Sequence, residues 1–161
     1  MPEWEELVDR HARLVFGVAY HIVGSVHDAE DVAQDTFREA LEQAPYDQVT
    51  DWRGFLCRVA TFRAIDIVRR RRSKSLDEQQ VSTLPSPVAE CEARELVERV
   101  QGALSEMPRQ AATVFALTFF EQLSRDEVAV ILSITPQAVS VALFKARRCL
   151  EDILLRNHPV D

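Results

Sequence analysis

The sequence predicts an all-α protein of two small helical domains joined by a polar linker. Apolar residues recur at helical spacing through most of the chain, and no segment shows the period-two alternation or glycine-rich turns of a sheet. The 161 residues include only four glycines, and the helix starts carry Ser, Asp or Thr capping residues. A composition of 47% hydrophobic and 28% charged residues is that of a packed soluble chain and excludes wholesale disorder. No internal repeat is evident.

The first helix is marked by Leu7, Leu14, Val15, Val18, Ala19 and Ile22 and stops near Gly24. Ser25 followed by Asp28 resembles a capping box, in which the hydroxyl accepts a backbone amide while the acid favours the positive helix end. A second helix then runs to about Ala44, burying Ala29, Val32, Ala33, Phe37, Ala40 and Leu41, and Pro45 closes it. Asp51 caps a third, whose apolar positions Phe55, Leu56, Val59, Ala60, Ile65 and Val68 lead into the run Arg69 to Arg72. These three helices form a first domain over 1–72. Residues 73–92 hold Ser, Gln and two Pro with no sustained apolar stripe, the composition of a linker.

Helical spacing resumes in a second domain over 93–158, with Ala93, Leu96, Val97, Val100 and Leu104 before Pro108, then Ala111, Ala112, Val114, Phe115, Leu117 and Phe119. Between Leu123 and Leu155 two helix starts lie close together. Ser124 and Glu127 form an S-x-x-E box, and Thr135 caps a helix whose first position is Pro136. The turn between them is only Ser133 and Ile134. Val128, Ala129, Ile131 and Leu132 face Ile134, Val139, Leu143, Ala146 and Leu150, which implies helix-turn-helix geometry. The outward face of the second helix would then carry Gln137, Ser140, Val141, Phe144, Lys145 and Arg148, chemistry suited to a DNA major groove. A plain helical hairpin with no nucleic-acid role is the competing reading of this segment.

The formal net charge of −7 conceals a division along the chain. Up to Asp51 acids outnumber bases, with only Arg10, Arg13 and Arg38 opposing them. From Trp52 to Lys74 the sign reverses: Arg53, Arg58, Arg63, the four arginines 69–72 and Lys74 oppose only Asp66. Two partners of opposite charge are implied. The arginine run is compatible with mere compensation of a helix dipole. The interleaving of Trp52, Phe55 and Phe62 with the bases also fits a surface on which unstacked nucleobases rest beside phosphates.

Enzyme chemistry finds no constellation. His11, His21, His27 and His158 are dispersed, paired-Cys motifs and phosphate-cradling loops are missing, and no catalytic residue, metal, cofactor or small-molecule substrate is implied. Cys57, Cys91 and Cys149 are odd in number and far apart, as expected of inert reduced thiols. The acidic, polar start MPEWEELVDR is unlike a signal peptide, and no apolar run approaches a membrane span, so a cytoplasmic protein without membrane insertion is expected.

DAEDVAQDTF at Asp28 to Phe37, WRGFLCRVATFRAIDIVRRRR at Trp52 to Arg72 and LSEMPRQAATVFAL at Leu104 to Leu117 together resemble the extracytoplasmic-function group of sigma factors. The resemblance covers most of the chain. It implies a non-enzymatic factor that binds core RNA polymerase, directs it to specific promoters and assists their opening. On that resemblance Asp28, Asp31, Gln34, Asp35 and Phe37 fall on the polymerase-docking motif. Arg53, Arg58, Phe62, Asp66, Arg69 and Arg70, with Trp52, fall on the helix that approaches the minus-ten element. The helix-turn-helix, with Arg125, Thr135, Gln137, Ser140, Val141, Phe144, Lys145 and Arg148, falls on the part that reads the minus-thirty-five element. The chain departs from the family where it has Phe55 for Trp, Phe62 for Asn, Ser133 near a usual Gly, and Ser140 and Ala142 for bases. Its exposed apolar groups suit either thymine methyls or an anti-sigma factor. Two other classes stay open: a ligand- or partner-regulated helix-turn-helix regulator independent of polymerase, and a helical adaptor that binds only protein.

Overall fold

A computed structural model describes residues 2–43, 48–77 and 88–157. Among these, the chain forms seven helices and no strand: α1 Pro2–Val23, α2 Val26–Gln43, α3 Trp52–Asp77, α4 Val88–Glu106, α5 Arg109–Phe119, α6 Arg125–Leu132 and α7 Pro136–Asn157. Gly24 ends α1 at φ +70°, a conformation glycine adopts without steric cost, and its N–H donates to the Tyr20 carbonyl at 2.9 Å. The Ser25 hydroxyl accepts weakly from the Asp28 amide at 3.4 Å. The Asp51 carboxylate caps α3 by accepting from the Gly54 amide at 3.1 Å. Because α3 extends to Asp77 and α4 starts at Val88, the expected linker is helical at both ends. Its centre, 78–87, and the expected stop at Ala44 and Pro45 lie outside the described residues.

The 26 residues of α3, about 39 Å of helix, form the spine of the fold. α1 and α2 pack on one side of it, and α4, α5 and α6 on another. Leu56, Cys57, Ala60, Ala64, Ile65 and Val68 of α3 join Val15, Ile22 and Val32 from the first half and Leu104, Met107, Val114 and Leu117 from the second in one contiguous core. The halves expected as separate domains therefore share their interior. Buried Thr36, Thr61 and Thr113 satisfy their hydroxyls within their own helices, donating to the carbonyls of Val32 (2.7 Å), Cys57 (2.7 Å) and Arg109 (2.8 Å).

Leu41, Leu96, Val97 and Phe119, expected inside, are exposed. Leu96 and Val97 lie on the N-terminal half of α4, where the described side chains from Arg94 to Arg99 are exposed because no described element covers them. Helical periodicity identifies a stripe but not the length of the partner that covers it.

Candidate functional site

The hairpin of α6 and α7 is built by local rules. The Ser124 hydroxyl accepts from the Glu127 amide at 3.1 Å, and the Thr135 hydroxyl from the Ala138 amide at 3.1 Å, so both helices start on side-chain caps. Ser133 sits between them at φ 55° and ψ 44°, left-handed, and its N–H returns to carbonyls of the preceding turn. This is the position near which the resembling family has glycine, which adopts that conformation without a Cβ clash. The two helices turn through 104°, within the range of DNA-binding helix-turn-helix pairs. Val128 and Ala129 bury with Val139, Ala142 and Ala146. Gln137, Ser140, Val141, Phe144, Lys145 and Arg148 are all exposed, as the periodicity predicts. The Arg148 guanidinium lies 5.8 Å from the Phe144 ring centroid, and Arg125 approaches Ser140 at 3.5 Å. Of the two positions where the family often has bases, only Ser140 lies on this face; Ala142 is buried.

On α3 the candidate residues divide by environment. Trp52 is half-buried in an edge-to-face cluster with Trp4 (6.0 Å between centroids) and Phe55 (5.8 Å), and the Arg58 guanidinium lies 5.5 Å from the Phe55 ring. Phe62, with Arg109, Gln110, Thr113, Leu132 and Ile134, lines a cleft of about 300 Å³ between α3 and the second half. Asp66 pairs with Arg109, Arg69 donates to the Met107 carbonyl, and Arg72 pairs with Glu106 at 3.0 Å. Arg53 and Arg70 are exposed, and Arg70 makes no ion pair among the described residues. The arginine run is thus mostly internal wiring rather than one solvated patch. Arg71 pairs with Asp28 and donates to the Val23 carbonyl at 2.9 Å, while Gln101 donates to Ile22 (3.0 Å) and Val23 (2.9 Å), which satisfies the carbonyl end of α1.

The acidic helix α2 is likewise divided. Asp31 and Gln34 are exposed, with His27 3.7 Å from Asp31. Asp35 is partly covered, 3.3 Å from Arg38 and 3.7 Å from Arg63, and Arg63 pairs more closely with Glu39 at 2.6 Å. Asp28 is turned inward to Arg71, and Phe37 packs on the core. Sequence reasoning missed Arg63, Arg71, Gln101, Glu106 and Arg109 as the groups that hold these surfaces. Their partners lie 24 to 79 positions away, so no local spacing announces them. Cys57 is buried, which pushes its thiol up to about 11 and leaves it without a reactive thiolate near neutrality. Among the described residues no His, Cys, Asp and Glu cluster has metal-binding geometry, and no single helix is long and apolar enough to cross a membrane.

Two family models match in the order this architecture requires: sigma-70 region 2 over residues 7–74, which covers α1 to α3, and sigma-70 region 4 over 97–150, which covers the helix-turn-helix. The chain belongs to the sigma-70 family. Within it, the relatives place the chain in the extracytoplasmic-function group. It is 31% identical over 163 residues to the ECF RNA polymerase sigma factor SigE of Mycolicibacterium smegmatis, covering 98% of this chain and 63% of that protein's length. It is 26% identical to the ECF RNA polymerase sigma factor SigW of Bacillus subtilis, covering 90% of this chain and 85% of that one. Among solved structures, CnrH in complex with the cytosolic domain of CnrY aligns with a TM-score of 0.61 at 25% identity, over 96% of this chain and 89% of that one. RpoE in complex with the anti-sigma factor NepR from Bartonella quintana shares the fold at 15% identity and a TM-score of 0.56, over 96% and 98%.

Proposed function

We propose that this chain binds core RNA polymerase in the cytoplasm, directs it to specific promoters and assists their opening, with no catalytic chemistry of its own. The observation that carries the reading is the ordered pair of region 2 and region 4 matches on one fold, the second ending in a hairpin whose predicted groove-reading side chains all face outward. Asp31, Gln34 and the outer edge of Asp35 supply a negative docking surface for a basic region of the polymerase. Arg53, Arg58 and Arg70 grip the minus-ten strand, where phosphate neutralisation releases counterions. Phe62 and Asp66 act on bases leaving the stack, a step costing a few kcal/mol. Arg125, Thr135 and the outward face of α7 read the minus-thirty-five element.

Asp66 and Arg69 are held by Arg109 and Met107, so engaging the minus-ten element requires the second half to swing away from α3. Polymerase supplies that separation by binding the two halves apart. An anti-sigma factor that prefers the closed form would oppose it.

The test is runoff transcription with core polymerase in the presence and absence of the chain. New start sites that depend on the chain are expected. Initiation unchanged by the chain, or tight specific DNA binding by the chain alone, would instead identify a polymerase-independent regulator.

A further inference from the structure

The outward face of α7 carries an apolar pair that lies outside the core and away from the docking face proposed on α2. Val141 is 53% exposed and Phe144 61% exposed, three residues apart on the same side of the helix. A helix does not place such groups toward water without cost, and the neighbours restrict what would cover them. Gln137, Lys145 and Arg148 surround the pair, and Arg125 stands beside Ser140. Cations on that scale favour a phosphate-lined groove over the dry centre of a protein interface, from which charge is depleted.

We propose that Val141 and Phe144 read thymine methyl groups on adjacent base pairs of the upstream promoter element. This rests on the reading of the chain as a promoter-directing factor and names what its recognition helix selects. The thymine C5-methyl is the one apolar feature displayed in the major groove, and aliphatic or aromatic side chains contact it without a hydrogen bond. Residues three apart on a helix have Cβ atoms about 5–6 Å apart, a separation of the same order as that between groups on neighbouring base pairs stacked at a rise of roughly 3.4 Å. Two methyls on neighbouring steps therefore fit the pair. Ser140, where the resembling family often has a base, is small beside the pair, and the Arg148 guanidinium lies 5.8 Å from the Phe144 ring centroid, where its charge would reach a phosphate at the groove edge.

The experiment uses holoenzyme assembled from the full chain and core polymerase, on promoters mapped from its own transcript starts. Duplexes are synthesised with each upstream thymidine replaced in turn by deoxyuridine, which removes only the methyl. Wild type loses about fourfold in affinity per contacted methyl, at two neighbouring positions. Val141→Ala abolishes the preference for thymine at one of them and Phe144→Ala at the other, while Phe144→Leu keeps part of it. Both residues are exposed, so circular dichroism spectra stay unchanged.

Equal binding of all deoxyuridine duplexes, upstream elements without thymine, or an undiminished thymine preference in both alanine variants overturns the proposal and leaves promoter direction standing. Weakened capture of a protein partner by these variants, with thymine indifference intact, assigns the pair to that partner instead. Failure to form holoenzyme or to change start sites removes the functional reading and this proposal together.

Discussion

The two helices assigned to DNA differ in how the fold presents them. α7 turns its six candidate side chains outward, and none is drawn into the core. α3 is covered along much of its DNA side: Phe62 faces Leu132 and Ile134, Asp66 meets Arg109, and Arg69 reaches the Met107 carbonyl. A helix whose other faces are already packed shows a free surface by periodicity alone. A central helix with neighbours on several sides keeps only scattered exposed positions, such as Arg53 and Arg70, until one neighbour leaves. On the proposed assignment the upstream reader is fully available in this arrangement, whereas the minus-ten reader offers Arg53 and Arg70 but keeps Phe62, Asp66 and Arg69 engaged, so closure is expected to act on the second more than the first.

The largest effect that sharpens this contrast comes from removing the platform on which both surfaces act. Asp31→Lys places a like charge against a basic polymerase surface and is expected to weaken core association about a hundredfold in co-purification or fluorescence titration, with the fold intact. Asp35→Lys is a poorer probe, because it also sets a cation beside Arg38 and Arg63. Retained association by the Asp31 variant would remove α2 from the docking surface.

Next in size is release of the covered face. Arg109→Glu opposes Asp66 with a like charge, and the isolated chain is expected to expand in small-angle scattering and to bind single-stranded minus-ten DNA about tenfold more tightly. Binding through α7 to upstream duplex stays unchanged. A compact variant with unaltered single-strand affinity would break the comparison, since the Asp66–Arg109 pair would then not be what keeps α3 covered.

Within α3, exposed Arg70 and engaged Arg69 separate charge from architecture. Arg70→Ala is expected to flatten the salt dependence of promoter binding by about one counterion unit and to leave the melting temperature alone. Arg69→Ala also loses the Met107 contact, so its melting temperature falls. Identical behaviour of the two variants would show that closure does not distinguish them.

The smallest effect lies in the turn before α7. Ser133 holds φ 55°, and Ser133→Gly is expected to raise unfolding stability by about 1 kcal/mol in urea titration without altering upstream specificity. A loss of stability would mean that the serine side chain outweighs the strain it carries.

Much of this was legible because it is local. Asp51, Ser124 and Thr135 cap helices three residues ahead, as their spacing announced, and Gly24 stops α1 where it was expected to. The outward set on α7 followed from period and the short turn. What escaped prediction is non-local. The arginine run left dipole compensation and a nucleic-acid surface both open, yet Arg71 and Arg72 close onto Asp28 and Glu106, which turns Asp28 away from the proposed docking face. The interval expected as linker is helical at both ends, because α3 continues to Asp77 and α4 starts at Val88.

By itself the sequence determined seven helix-forming segments, the division of charge between the start of the chain and α3, and the hairpin with its exposed face, because each depends on interactions within about one helical turn. Only the tertiary structure decided which charges face solvent and that the two halves share one core. Those outcomes depend on contacts between residues dozens of positions apart, where proximity is set by packing against α3 and not by spacing along the chain.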